Sequence, residues 1–233
     1  MRAIVVNSTR YGDDSFIVTL YTEEGGTTTV SVKTAAKGRV RMSHIQPLNL
    51  VEVTLTGKPS QNIKQIRECS VIWSPTLSGD ITKVLSSQFL AEWLSSILRS
   101  YSHEDRHLFG FLFRSIEYFA NAEKGVGNFH LFFLIKLTLY LGIFPNTEQW
   151  AEGRQFDMID AQFVEHSPTH GYFLTESDSI NFVNMLRTSY GTMHLWQMTR
   201  AERNRTLDYI IRYYHLHSIE VGRLRSLDIL REI

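Results

Sequence analysis

Over the first 75 residues, apolar and β-branched residues alternate with polar residues in short runs. A period of two is typical of strands with one buried face, and the Gly, Asp and Pro residues between the runs are typical of turns. The pattern predicts five strands, at residues 2–8, 15–22, 27–34, 48–56 and 63–73. Hairpin turns are indicated at Glu23-Glu24-Gly25-Gly26 and at Gly57-Lys58-Pro59-Ser60.

After Trp73 the hydrophobic period changes from two to about 3.6, which is the period of an α-helix. Ser74-Pro75 and Ser78-Gly79-Asp80 supply turn residues at this change. Five short strands in so few residues suit an OB-type barrel, which closes on itself and removes its sheet edges. We therefore expect an α+β protein with an OB-type barrel at residues 1–75 and an all-α helical domain at residues 76–233.

Helical stripes predict helices from Ile81 to Leu98, over residues 105–122 and over residues 129–141, the last ending at Gly142. Residues 145–174 lack a clear period and are predicted to form an irregular excursion between helices. The patterns Thr175-x-x-Asp178 and Thr199-x-x-Glu202 are typical of capping boxes, and Ser226 is a candidate cap for a last helix at 227–233.

The 24 basic and 24 acidic side chains cancel over the whole chain, so only the local distribution of charge is informative. Residues 1–75 hold nine Lys or Arg against six Asp or Glu, and no acid lies between Glu24 and Glu52. Cys69 is the only cysteine, which excludes an internal disulfide and fits a reducing compartment. With no secretory pattern and no apolar run long enough to span a bilayer, a cytoplasmic location without membrane attachment is expected.

The basic segment, residues 33–41, carries Lys33, Lys37, Arg39 and Arg41 with no intervening acid. Closely spaced cations can neutralise successive phosphates and release their counterions, so this segment is the best candidate for a nucleic-acid contact. The alternative is a solvated loop whose charge binds nothing. Tyr11, in a turn, is the best candidate for base stacking, because Phe16 and Tyr21 lie in a strand where burial is expected for at least one.

A metal site is a further alternative, since Asp157, His166 and His170 could supply oxygen and nitrogen ligands to a metal-dependent hydrolase. Pro168 lies between the histidines and disfavours a regular helix there, which favours the interpretation that both are surface histidines. No HExxH, GxSxG or glycine-rich phosphate loop occurs in the sequence, so we expect no catalytic activity.

A series of motifs runs from Ser8-Thr9-Arg10-Tyr11-Gly12-Asp13-Asp14-Ser15-Phe16-Ile17-Val18 through the basic segment and Gln46-Pro47-Leu48 to Tyr140-Leu141-Gly142-Ile143. The order of these motifs resembles the RecO family of bacterial recombination mediators. Near the C-terminus, Thr192-Met193-His194-Leu195, Glu202-Arg203-Asn204-Arg205 and Leu227-Asp228-Ile229-Leu230 are similar to a branch of the family without zinc cysteines.

The resemblance implies a nucleoid-associated DNA repair protein that binds single- and double-stranded DNA and anneals complementary strands. It also implies that the protein acts with RecR on DNA coated by single-strand-binding protein, whose C-terminal tail it binds, so that RecA can load. The DNA contacts it implies are Lys33, Lys37, Arg39 and Arg41, with Arg10 in addition. The rival hypothesis is an adaptor that binds only proteins.

The chain departs from its relatives in three places. Relatives that bind the acidic, apolar tail of single-strand-binding protein can use an arginine in the first turn of the helix that here begins His130-Leu131-Phe132-Phe133, and this chain does not match that arginine. Relatives that bind zinc place cysteines in the excursion, where this chain has none, so neither zinc nor another cofactor is expected. Many relatives carry Lys-Gly-Ala-Arg after the third strand, whereas Lys33-Thr34-Ala35-Ala36 keeps only the lysine and the charge moves to later positions.

Overall fold

The computed structural model describes residues 1–35, 38–57, 63–75, 79–101 and 103–232, apart from the side chain of Ser100. The chain forms two compact units. The first consists of Met1–Ala122 together with Gly222–Ile233, and the second of Glu123–Val221. The change from strands to helices follows Trp73 as the sequence indicates. The domain division at residue 75 stays a prediction.

Five strands form a closed barrel in the order β1-β2-β3-β5-β4. In chain order they are β1 (Arg2–Arg10), β2 (Ser15–Thr22), β3 (Gly26–Lys33), β4 (Leu50–Thr56) and β5 (Lys64–Trp73). Antiparallel pairing of β1 with β4 and a short parallel pairing of β3 with β5 close the barrel. The predicted five-stranded OB-type barrel followed by helices is therefore confirmed.

The barrel interior is filled by the apolar side chains that alternate along each strand. In β2, buried and half-buried positions alternate from Ser15 to Leu20. Phe16 and Val18 of this strand pack with Val30 and Val32 of β3. A register shift between Val5 and Asn7 lets β1 bend, and β1 pairs with both β2 and β4.

The β2–β3 turn requires a glycine at Gly26, which has φ +65°. A Cβ atom there would collide with the carbonyl oxygens of Tyr101 and His103. The neighbouring Thr27 N–H donates to the Tyr101 oxygen at 2.7 Å. The hairpin tip is thus packed against the backbone of the segment that follows the first helix.

The helices are α1 (Ile81–Ile97), α2 (Arg106–Asn121), α3 (Phe129–Tyr140), α4 (Glu176–Arg187), α5 (Arg200–Leu216) and α6 (Leu227–Leu230). In the first unit, Asp80 and Asp105 cap α1 and α2 by accepting backbone hydrogen bonds. Ser226 occupies the N-cap position of α6 as expected, but its side chain makes no capping hydrogen bond. Its hydroxyl donates instead to Glu92 Oε2 of α1 at 2.8 Å.

In the second unit, α3 packs against α4 and α5. The helix α3 is apolar on almost every face and ends as predicted at Gly142, which has φ +75°. Thr199 and Glu202 form the predicted capping box at the start of α5. Within the excursion, β6 (Gln155–Asp157) and β7 (Gln162–Val164) form a small antiparallel sheet that the sequence pattern did not predict.

Among the described residues, none of the helices is sufficiently long and apolar to cross a lipid bilayer.

Candidate nucleic-acid interface

The β1–β2 turn and the start of the basic segment meet at one end of the barrel. Ser15 pairs with Lys33 across β2 and β3, and the Thr34 N–H donates to the Asp14 carbonyl at 2.8 Å. The Tyr11 N–H in turn donates to the Ser15 carbonyl at 3.0 Å. The structure therefore brings Tyr11 and Lys33, which are far apart in the sequence, to the same end of the barrel.

The second half of the basic segment is anchored by Val40, whose side chain is buried in the barrel core. The Ala35 N–H donates to the Val40 carbonyl, and the Gly38 N–H donates to the Ala35 carbonyl, both at 3.1 Å. Because Val40 is buried, its neighbours Arg39 and Arg41 are left at the surface, and both are exposed. Lys37 lies outside the described residues.

Three of the predicted cations have partners that limit their freedom. Arg39 forms an exposed ion pair with Glu68 of β5 at 3.1 Å. The Arg10 guanidinium folds back onto its own turn and donates to the carbonyls of Gly12 and Asp13. Arg41 donates from Nε to the His44 imidazole at 3.0 Å.

The Arg41–His44 contact requires a neutral imidazole, because Nε2 of His44 accepts the hydrogen bond. Burial of His44 lowers its pKa from the ordinary histidine value, and the Arg41 charge lowers this pKa further. The neutral His44 ring does not neutralise the charge of Arg41. Arg41 also has no carboxylate partner among the described residues.

Acidic side chains lower the net positive charge at this end of the barrel. Asp13 and Asp14 are exposed in the β1–β2 turn, and Glu68 faces outward on β5 beside the buried Cys69. The sequence shows these acids but does not place them beside the basic segment, because they are distant from it in the chain. Successive side chains of a strand point to opposite faces, so an inward Cys69 in β5 would have predicted that its neighbour Glu68 faces outward.

Tyr11 is the exposed aromatic ring of this region, with 59% of its surface accessible. Phe16 and Tyr21 are both buried. The Tyr21 ring packs against Phe109 of α2, with ring centroids 6.1 Å apart. Of these three aromatic candidates, Tyr11 alone is placed where a base could stack on it.

The candidate metal ligands of the excursion form a local hydrogen-bonded pair instead. His170 Nε2 donates to Asp157 Oδ2 at 3.2 Å, while His170 Nδ1 accepts from the Tyr172 N–H at 3.0 Å. The other oxygen of Asp157 accepts from the backbone of Ile159. His166 is exposed, and the described part of the chain contains no group of three or more His, Cys, Asp or Glu suited to a metal.

A closed five-stranded barrel followed by helices defines a protein with an OB-type domain and a helical region. Two family models match the chain. Residues 1–75 match the model described as "Recombination protein O N terminal", and residues 78–228 match "Recombination protein O C terminal". The chain belongs to the RecO family.

Curated relatives match the chain in sequence over nearly their whole length. The chain is 39% identical to the DNA repair protein RecO of Phocaeicola vulgatus, with 99% of this chain and 96% of the relative covered. It is 35% identical to the DNA repair protein RecO of Bacteroides fragilis, with the same coverage. Family membership supports a role in DNA repair and recombination.

Proposed function

We propose that the protein binds DNA through the phosphate backbone at the end of the barrel that carries the basic segment. Lys33 and Arg41 are exposed and have no carboxylate partner among the described residues. Cations in this state can replace the counterions of phosphates without first breaking an ion pair. The exposed Tyr11 ring, at the same end of the barrel as Lys33, supplies a stacking surface for a base.

In this proposal the protein acts as a recombination mediator with no covalent chemistry of its own. It binds single- and double-stranded DNA, anneals complementary strands and, with RecR, helps RecA to load on DNA coated by single-strand-binding protein. Membership of the RecO family supports this role, and so do the exposed cations at the barrel end, which suit phosphates rather than particular bases. We further propose that the C-terminal tail of single-strand-binding protein is bound by the helical region.

The proposal is tested by the salt dependence of binding to labelled single-stranded DNA. Each phosphate contact lowers the slope of log affinity against log salt by about 0.7, so four cations predict a slope of roughly −3. The double variant Lys33→Ala, Arg41→Ala should bind more weakly on all sequences and have a slope less steep by about 1.4.

The matched control is Arg187→Ala, Arg212→Ala, which removes two positive charges from exposed positions of the second unit. It should retain the wild-type slope. If the wild-type protein shows no DNA binding at low salt, the DNA-binding proposal is wrong and the protein-binding adaptor becomes the better hypothesis. Annealing of complementary strands, measured with and without single-strand-binding protein, tests the mediator role separately.

A further inference from the structure

A second basic surface lies in the same compact unit as the barrel. It is a cleft of about 530 Å³ lined by β1, by Pro47, by α1 and its C-terminal end, and by the segment around α6. Three arginines line it, Arg99, Arg223 and Arg225, and all three are exposed. Neither the net charge of zero nor the local charge pattern indicated this cluster, because Arg99 is far in the sequence from the other two.

The two C-terminal arginines are held in place by contacts of their segment with α1. The Gly222 N–H donates to the Ser96 hydroxyl at 3.2 Å, and the Ser226 N–H donates to Glu92 Oε2 at 3.0 Å. Leu224 is half-buried between the exposed Arg223 and Arg225. The segment is therefore fixed at both ends, and its two arginines remain in the cleft.

The charge of the cleft is positive. Among the described residues that line it, Glu92 is the only acid, and its Oε2 already accepts from the backbone and hydroxyl of Ser226. In the described part of the chain, no carboxylate forms an ion pair with any of the three arginines. Three arginines and one glutamate leave a net charge of +2 in a concave site, where the surrounding walls concentrate the field.

The polar lining residues suit a sugar–phosphate backbone, and the cleft also has an apolar wall formed by Val6, Pro47, Ala91 and Ile229. Asn7, Gln88 and Ser95 add uncharged hydrogen-bonding groups to the cleft. Side chains of these types, together with arginine, make most of the contacts that proteins form with phosphates and sugars. Arginine also matches a phosphate with two parallel hydrogen bonds.

The cleft is also close to the barrel contact along the chain. Pro47 lines the cleft, and the 3-10 turn Met42–Ile45 connects it to Arg41 of the basic segment. The six residue-to-residue steps from Arg41 to Pro47 span at most about 22 Å when extended. One DNA strand can therefore reach both surfaces.

We propose that this cleft binds the backbone of single-stranded DNA beyond the part held by the barrel, so that Arg99, Arg223 and Arg225 extend the phosphate path. The inference rests on the proposed DNA binding at the basic segment. It adds a second surface and predicts a dependence on strand length that the barrel alone does not give.

The test compares two labelled polythymidine strands, one within and one well beyond the roughly 4–16 nucleotides that one OB-type domain covers. Binding is measured by fluorescence anisotropy over a range of salt concentrations. In Arg223→Ala, Arg225→Ala the slope on the longer strand should become less steep by about 1.4, which is two contacts of about 0.7 each. On the shorter strand the slope should be unchanged.

Two further variants complete the design. Arg223→Lys, Arg225→Lys keeps the charge and should keep most of the salt slope, which separates loss of charge from loss of structure. Lys33→Ala, Arg41→Ala should lose affinity for both strands. Far-UV circular dichroism checks that each variant is folded.

The outcomes separate the two proposals. If the wild-type protein binds neither strand, both are refuted. If it binds both and the cleft variant keeps the wild-type slope on the longer strand, the cleft proposal alone is refuted. A cleft variant whose salt slope becomes less steep by the same amount on both strands also contradicts the cleft proposal. The cleft would then belong to the contact that short strands make.

Discussion

His130 makes the stability of the second unit depend on pH. It lies in the first turn of α3, and only 4% of its surface is exposed. Burial, and in second place the charge of Arg203, lowers its pKa to about 3. In the unfolded chain the imidazole returns to a pKa of about 6.5. The native state therefore holds a neutral ring where the unfolded state binds a proton, and stability falls as pH drops below about 6.5.

The size of the effect follows from proton linkage. For a group whose pKa is about 6.5 in the unfolded state and about 3 in the folded state, the free energy of unfolding falls by about 2 kcal/mol when the pH is lowered from 7 to 5. The unfolded state contributes almost all of this change, because the native imidazole remains neutral throughout the interval. The result would therefore be nearly the same for any native pKa below about 4.

The assay is urea unfolding of the wild type and of His130→Gln at pH 7 and pH 5. Glutamine is neutral at both values and retains hydrogen-bonding groups, so only the titration is removed. The wild type should lose about 2 kcal/mol more than the variant between the two pH values. His215→Gln, at an exposed position of α5, controls for removal of a histidine from the same unit. An equal loss in the wild type and in His130→Gln would refute the reasoning.

Three other substitutions test particular contacts. Gly26→Ala should destabilise the protein by about 1–3 kcal/mol, because Gly26 has a positive φ and an added Cβ would meet the adjacent carbonyls. Gly25→Ala is the control, since a Cβ at Gly25 meets only the Thr22 hydroxyl. Equal melting temperatures for the two variants would contradict the prediction. Tyr11→Ala should weaken single-strand binding by about 1–3 kcal/mol while Tyr11→Phe retains it, and a similar loss in both would argue against stacking. Asp157→Ala should lower the free energy of unfolding, measured in urea, by about 1–3 kcal/mol, since it leaves backbone N–H groups without their acceptor. Unchanged stability would show that the pair with His170 is dispensable.

The elements were predictable where a local pattern carries the information. β2 spans the predicted residues 15–22, because polar and apolar positions alternate along it and turns flank it. The end of α3 at Gly142 followed from the glycine alone. The sheet β6–β7 was missed because three-residue strands are too short to show a period.

Contacts between distant residues were not predictable in the same way. Ser226 has the right residue type and position for a helix cap, but its backbone is in the right-handed helical region rather than extended, and its hydroxyl instead donates to Glu92, 134 residues away. The ion pair of Arg39 with Glu68 depends on where β5 lies beside the basic segment. Likewise the cleft arginines come together only because residues 222–233 return to the unit that contains the barrel. Local propensity contains no information about such returns.

The partners of each cation decide how many cations a bound strand can use. Glu68 does not remove Arg39 from the count, because an ion pair between side chains exposed at 68% and 53% is worth only about 0–1 kcal/mol and exchanges readily for a phosphate. Arg10 is different, since its guanidinium makes two hydrogen bonds that shape its own turn. Binding a phosphate through Arg10 would break these two hydrogen bonds and disrupt the turn. The salt slope should therefore be reduced by substitution of Arg39 but not by substitution of Arg10, although both are exposed arginines of the barrel.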